Sequence, residues 1–118
     1  MSLGRTAAGF RQTTMIGIIV LTVATALIHL YLGFQGFPLF VLNGLGYLAL
    51  LAALYLPVPQ LARYRTIARW VLLGYTILTV VLWVLIGART FLGYSDKIIE
   101  VALAALLLLE ATQSRSGR

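Results

Sequence analysis

Few side chains in this sequence can carry chemistry, and three of them lie inside long apolar runs. His29 is the only histidine and belongs to the run VATALIHLYLGF, while Asn43 and Glu100 belong to two other runs. A neutral imidazole can ligate haem iron or a chlorin, or carry a proton. A carboxylate at such a position can pass a proton or bind a cation. The same three side chains can instead hydrogen-bond to one another across helices.

The sequence contains no pattern that is typical of catalysis. It has no H-E-x-x-H motif, no nucleophile placed with a base, and no pair of carboxylates in polar surroundings. It also has no cysteine, which excludes disulfides, thiolate metal sites and covalently attached c-type haem. The sequence therefore predicts no enzyme activity, no catalytic residue and no metal site.

The composition is typical of an integral membrane protein. Of its 118 residues, 61% are hydrophobic and 10% are charged, with a mean hydropathy of +0.98. Soluble domains carry about 25% charged residues. The net charge is +6, but the basic residues flank apolar runs and form no stripe with aromatic residues between them. Membrane flanks explain this charge, and no nucleic-acid partner is predicted.

Four segments have the length and apolar character of membrane spans, which need about 20 such residues. They cover residues 14–32, 38–56, 67–87 and 95–112. Pro38 suits the first turn of the second helix, and Ser95 is predicted to cap the fourth. The predicted fold is an all-α membrane protein in one domain, 1–118, with four transmembrane helices in an up-down-up-down bundle.

The distribution of basic residues predicts the orientation of the spans. If the spans alternate, only Arg89 and Lys97 lie on one side of the membrane. The other side receives seven arginines: Arg5, Arg11, Arg63, Arg65, Arg69, Arg115 and Arg118. Because positive residues favour the cytoplasmic side, both termini are predicted to be cytoplasmic, in the inner or plasma membrane.

This topology brings His29, Asn43 and Glu100 to a similar depth, near the outer ends of the first, second and fourth spans. Ionisable groups within spans are costly and usually face the bundle, where they find partners. We therefore predict a polar cluster between helices at His29, Asn43 and Glu100, with Asp96 at the outer surface. Its simplest role is to fix the rotation of the helices.

Small residues indicate where the helices meet, since close packing replaces the hydrophobic driving force in lipid. The predicted packing positions are Gly44, Gly46, Ala49, Ala53 and Gly74. Glu110, near the inner end of the fourth span, is predicted to form a surface ion pair with the cytoplasmic arginines, which would contribute little stability.

Three stretches resemble an uncharacterised family of small four-helix integral membrane proteins of archaea and bacteria: HLYLGF, FVLNGLGYLALL and SDKIIEVAL. The resemblance covers less than a third of the chain and implies the architecture, without an assigned activity. The residues that it singles out are His29, Gly33, Asn43, Gly44, Gly46, Asp96 and Lys97.

Three functions follow from these observations. The first is a non-enzymatic accessory or structural subunit of a larger membrane complex, respiratory or photosynthetic, because the chain offers long apolar helical surfaces and almost no loop. Its partners would be membrane lipid and other membrane subunits or further copies of itself. The second is a haem- or chlorophyll-binding protein in which His29 is the cofactor ligand. The third is a small proton- or cation-coupled transporter that uses His29 and Glu100.

Overall fold

The computed structural model describes residues 3–87 and 89–116, and the side chains of residues 9–87 and 89–113. Arg118 and the side chains of Arg5 and Arg115, which entered the orientation prediction, lie outside the described residues. Within these ranges the regular structure is helical and no strand occurs. The helices are α1 (Leu3–Phe34), α2 (Pro38–Tyr55), α3 (Pro59–Ala62), α4 (Arg65–Ile86) and α5 (Phe91–Ser116).

Glycine and proline end the helices where the sequence predicts breaks. Gly36 has a φ of +116°, a conformation that residues with a Cβ rarely adopt, and it turns the chain between α1 and α2. Pro38 then occupies the first turn of α2, where a missing N–H leaves no hydrogen bond unmade. Pro59 starts the short α3 in the same way.

The last helix begins earlier than predicted. α5 starts at Phe91, and the Gly93 N–H donates to Thr90 Oγ1 at 3.0 Å. Thr90 therefore caps this helix, and Ser95 is an internal residue rather than the cap. The extra turn moves Asp96 into the body of the helix. This shift matters for the site described below.

The four long helices pack in a closed order. α1 contacts α2 and α5, and α4 contacts the same two helices from the other side. The core between them is mostly aliphatic. Its buried residues are Ile18, Ala26, Tyr47, Leu54, Ala68, Leu72, Leu73, Leu103 and Leu107.

Three of these helices are long and apolar enough to cross a membrane: Gly9–Phe34, Pro38–Tyr55 and Arg65–Ile86. They correspond to the first three predicted spans. α5 is not among them although it has 26 residues. It differs in composition, since Asp96, Lys97, Glu100 and Glu110 interrupt its apolar residues.

Two of the predicted glycines lie where helices meet closely. A Cβ on Gly44 would stand 2.8 Å from the Ala26 carbonyl oxygen and 2.9 Å from Leu30 Cγ, so α1 and α2 approach each other here. A Cβ on Gly46 would meet the hydroxyl of Tyr75 on α4. Both glycines therefore permit contacts that any larger residue would disturb.

The remaining predicted packing positions differ from one another. Ala53 packs against the core. Ala49 is exposed, and a Cβ on Gly74 would meet nothing within 4 Å. Ala49 and Gly74 therefore border open space instead of a helix contact.

We expect Gly44→Ala to destabilise the fold by about 1–3 kcal/mol, because the added methyl overpacks the contact of α1 with α2. The matched control is Gly74→Ala, which we expect to be neutral or stabilising by about 0.5–1 kcal/mol, since alanine favours a helix. Unfolding of both variants in mild detergent measures the difference. Equal stability of the two variants would contradict the close contact at Gly44.

Candidate functional site

Six polar side chains meet inside the protein between α1, α2 and α5. Each is less than one-tenth exposed. We call this group the His29 cluster, and it consists of Thr25, His29, Tyr47, Asp96, Lys97 and Glu100. Charged side chains are rarely buried unless they are paired, so the contacts within the cluster decide whether it is stable.

Helical spacing explains why α1 and α5 each contribute more than one side chain to the cluster. Thr25 and His29 are four residues apart on α1, so their side chains share one face of that helix. Asp96 and Glu100 have the same spacing on α5, with Lys97 beside them. The two faces meet because α1 packs directly against α5.

Both ring nitrogens of His29 face oxygen atoms. Nδ1 lies 2.8 Å from the backbone oxygen of Thr25, and because a carbonyl can only accept, Nδ1 carries a proton and donates it. Nε2 lies 3.6 Å from Asp96 Oδ2. The rings of Phe40 and Tyr47 lie 5.7 and 5.8 Å from the imidazole, centroid to centroid.

The two carboxylates use all four of their oxygens. Asp96 Oδ1 accepts from the Thr25 hydroxyl at 2.5 Å, and Asp96 Oδ2 lies 3.2 Å from Lys97 Nζ. Glu100 Oε1 accepts from Lys97 Nζ, and Glu100 Oε2 accepts from the Tyr47 hydroxyl. Lys97 therefore bridges both acids, and each acid also receives a hydroxyl from a different helix.

The cluster is not neutral when its groups carry their ordinary charges. Asp96 and Glu100 contribute two negative charges, while Lys97 contributes one positive charge. A neutral His29 leaves one negative charge in excess, and an imidazolium would cancel it. An uncompensated charge in a buried site is costly, so one further positive charge is favoured here.

The residue types also match a cation site. One ligand atom each from His29, Asp96 and Glu100 lies within 4.8 Å of the other two. The sequence predicted no metal site, since it has no cysteine and no metal-binding motif, and it placed Asp96 at the surface, apart from His29 and Glu100. In this arrangement the Lys97 ammonium lies against both carboxylates and supplies a positive charge where a metal ion would otherwise bind.

The haem and chlorin alternative requires a free nitrogen on His29. Nδ1 donates to Thr25, and the remaining nitrogen, Nε2, lies 3.6 Å from Asp96 Oδ2, so a haem iron could reach Nε2 only if Asp96 moved. The ring is also only 3% exposed and packs against Phe40 and Tyr47. A cofactor at His29 would need these side chains to move.

The structure brings together two of the three residues of the predicted polar cluster. His29 and Glu100 both belong to the His29 cluster. The Asn43 side chain makes no hydrogen bond to either of them among the described residues, and its buried Oδ1 has no partner there. The Asn43 backbone oxygen instead accepts from the Tyr75 hydroxyl at 2.7 Å.

Four members of the cluster were not predicted as site residues. Asp96 was expected at the outer surface but is buried, because α5 begins at Phe91 and carries it inward. Thr25 could have been found from its position four residues before His29. Lys97 was singled out only by the family resemblance, and Tyr47, in the middle of the second predicted span, gave no comparable signal.

A second, smaller polar group lies further along α5. Glu110 accepts from Arg69 Nε at 2.8 Å through Oε1, and from the Tyr55 hydroxyl at 2.5 Å through Oε2. Glu110 is only 9% exposed. Its ion pair with Arg69 is therefore largely buried rather than the surface pair that the sequence predicted.

Comparison of the chain with protein-family models, curated proteins and solved structures gave no match. The resemblance to a family of small four-helix membrane proteins therefore stays a prediction. Function is inferred below from the geometry of the site.

We expect Tyr47→Phe to destabilise the protein by about 1.5–3 kcal/mol, because it removes a hydrogen bond to the buried charge of Glu100. Tyr31→Phe is the matched control, since Tyr31 is more than half exposed. Denaturant titration in detergent micelles gives the two free energies of unfolding. A loss of stability no larger for Tyr47→Phe than for Tyr31→Phe would show that the Tyr47 hydroxyl is not needed.

Proposed function

We propose that this chain is a multi-pass membrane protein with four spans and with both termini in the cytoplasm. Three helices have the required length and apolar composition. α5 has 26 residues, which corresponds to about 39 Å and exceeds the thickness of the hydrocarbon core. Its charged residues Asp96, Lys97 and Glu100 are buried and paired with one another or with neighbouring helices, so they need not face lipid.

The tyrosine–glutamate hydrogen bonds support an alternating topology. Tyr47 of α2 bonds Glu100, and further along both helices Tyr55 bonds Glu110. The pairs follow the same order along α2 and α5, so these helices run in the same direction. If α2 crosses the membrane, a parallel α5 of sufficient length crosses it in the same sense.

The arginines support the orientation. If the spans alternate, four of the described arginines lie on the same side of the membrane as the termini: Arg11, Arg63, Arg65 and Arg69. Lys97 had been counted on the other side, but it is buried in the His29 cluster. Among the described side chains this leaves Arg89 as the basic residue of the outer loops, which increases the asymmetry that orients the spans.

For the biochemical function we propose a small proton transporter in which the His29 cluster holds an exchangeable proton. The observation that carries this proposal is the excess of one buried negative charge beside an imidazole. Ionisable groups inside spans mark proton and ion pathways, and they are otherwise avoided because of their cost.

We assign that proton to His29 Nε2. All four oxygens of Asp96 and Glu100 already face a donor: Thr25, Lys97 or Tyr47. Nδ1 of His29 already carries a proton. A proton on Nε2 would face Asp96 Oδ2 and neutralise the cluster, and its loss would restore the excess charge.

The accessory-subunit function stays a prediction, as do a partner complex and the absence of enzyme activity. Exposed apolar side chains are numerous on α1, α2 and α4. Lipid-facing helices of any small membrane protein expose such side chains, so these surfaces do not favour a partner subunit over lipid.

Topology can be tested with single cysteines, because the native chain has none. We expect a cysteine at Gln35→Cys to react with an impermeant maleimide from outside intact cells. Gln60→Cys and a cysteine added after Arg118 should react only after the cells are opened. Labelling of the added C-terminal cysteine from outside, with Gln35→Cys still labelled and Gln60→Cys still protected, would instead indicate an odd number of spans and contradict the proposal.

Proton movement tests the function. In vesicles that contain a pH-sensitive dye and are driven by a potassium diffusion potential, we expect the wild type to move protons. His29→Gln and Asp96→Asn should reduce the rate to that of protein-free vesicles, because each removes one side of the proposed proton site. A wild-type rate equal to that of protein-free vesicles would contradict the proposal.

Thr22→Val is the matched control, since it removes a buried hydroxyl on α1 that has no hydrogen-bond partner among the described residues. It should retain the wild-type rate. The single histidine provides a second readout by ¹⁵N NMR in nanodiscs. Nε2 should be protonated at low pH and deprotonated at high pH, and one state that does not change with pH would overturn the proton site.

A further inference from the structure

A groove of about 390 Å³ lies at the opposite end of the helices from the His29 cluster. Residues of α1, α4 and α5 line it: Arg11, Gln12, Met15, Arg69 and Glu110. Glu110 follows Glu100 by ten residues on α5, so the groove lies about 15 Å along the helix from the cluster. The proposed topology puts this end at the cytoplasmic surface of the membrane.

The groove carries an excess of one positive charge. Arg11 and Arg69 contribute two positive charges and Glu110 contributes one negative charge. Both Glu110 oxygens are already engaged, by Tyr55 and by Arg69 Nε. Arg11 forms no ion pair within the described part of the chain. One guanidinium is therefore without a counter-ion, and the other binds its carboxylate through Nε alone.

We propose that this groove binds the phosphate headgroup of one anionic phospholipid of the phosphatidylglycerol type. Guanidinium groups bind phosphate oxygens through paired hydrogen bonds, and Gln12 offers a further donor. A phosphodiester carries a single negative charge, which equals the excess positive charge of the groove. Basic pockets between helices on the cytoplasmic side are recognised sites for such headgroups.

The apolar surroundings favour a lipid over a free phosphate ion. Phe10 and Ile16 adjoin the groove residues in the sequence of α1 and are 63% and 51% exposed. Acyl chains would cover these side chains while the headgroup remains at the arginines. The inference shares the membrane spans with the proposed function, but it does not depend on the His29 cluster.

The test is native mass spectrometry of the full chain released from nanodiscs that contain equal amounts of phosphatidylglycerol and phosphatidylcholine. We expect one phosphatidylglycerol to be retained in preference to phosphatidylcholine. Arg11→Gln should lower that retention by about five-fold, since one basic residue near an anionic surface contributes this factor. Arg63→Gln is the matched control, because Arg63 is an exposed arginine outside the groove that stacks on Tyr64.

A second variant tests the other arginine of the groove without leaving a buried charge unpaired. Arg69→Gln alone would leave the buried Glu110 without its cation, whereas the double variant Arg69→Gln with Glu110→Gln removes both charges together. The double variant keeps the net charge of the groove but removes one of its two guanidinium donors, so it should lower retention by less than Arg11→Gln does. His29→Gln, which tests the proposed function, should leave retention unchanged, so the two proposals can fail separately.

Three results would overturn the inference. One is equal retention of the two lipids by the wild type. Another is a phosphatidylglycerol retention that neither Arg11→Gln nor the double variant lowers. The third is displacement of the lipid by excess inorganic phosphate, which would indicate a site for a soluble anion rather than for a lipid.

Discussion

Two carboxylates buried beside a single lysine constrain how α1, α2 and α5 pack. Asp96 and Glu100 can remain inside the protein only if enough donors reach them. Lys97 lies next to both on the same helix, but the Thr25 hydroxyl must come from α1 and the Tyr47 hydroxyl from α2. A rotation of either helix would remove a donor from a buried charge, so the cluster fixes the facing surfaces of three helices.

The apolar middle of the protein separates this cluster from the second polar group at Glu110. Leu103 and Leu107 fill that interval on α5 and are fully buried. Apolar side chains pack well but are tolerant of repacking, whereas buried hydrogen bonds accept few alternatives. The polar groups therefore specify the arrangement of the helices, and the leucines between them fill the core.

The sequence predicted the helices better than it predicted the site. Apolar runs and Gly36, Pro38 and Pro59 identify the long helices, because their length and breaks are local properties. The topology also placed His29 and Glu100 at one depth. Asp96 was misplaced because the start of α5 depends on the Thr90 cap, and an earlier cap turned a surface residue into a buried one.

The donors were harder to predict than the acids. Tyr47 reaches Glu100 only because α2 and α5 lie on either side of the bundle axis, and no local pattern reports that relation. Gly74 was predicted to lie at a helix contact but faces open space. A small residue indicates a contact only if it faces another helix. The sequence does not predict how far each helix is rotated about its own axis, and this rotation decides which side chains face one another.

The two tyrosine–glutamate hydrogen bonds also limit the movements that are open to α2 and α5. Eight residues separate Tyr47 from Tyr55, and ten separate Glu100 from Glu110, which are spans of about 12 and 15 Å. Because the two helices are joined by hydrogen bonds at two levels, α2 cannot slide lengthwise relative to α5 unless both bonds break together. Release of one hydrogen bond alone leaves the other in place as a pivot, which permits one helix to rock about that end.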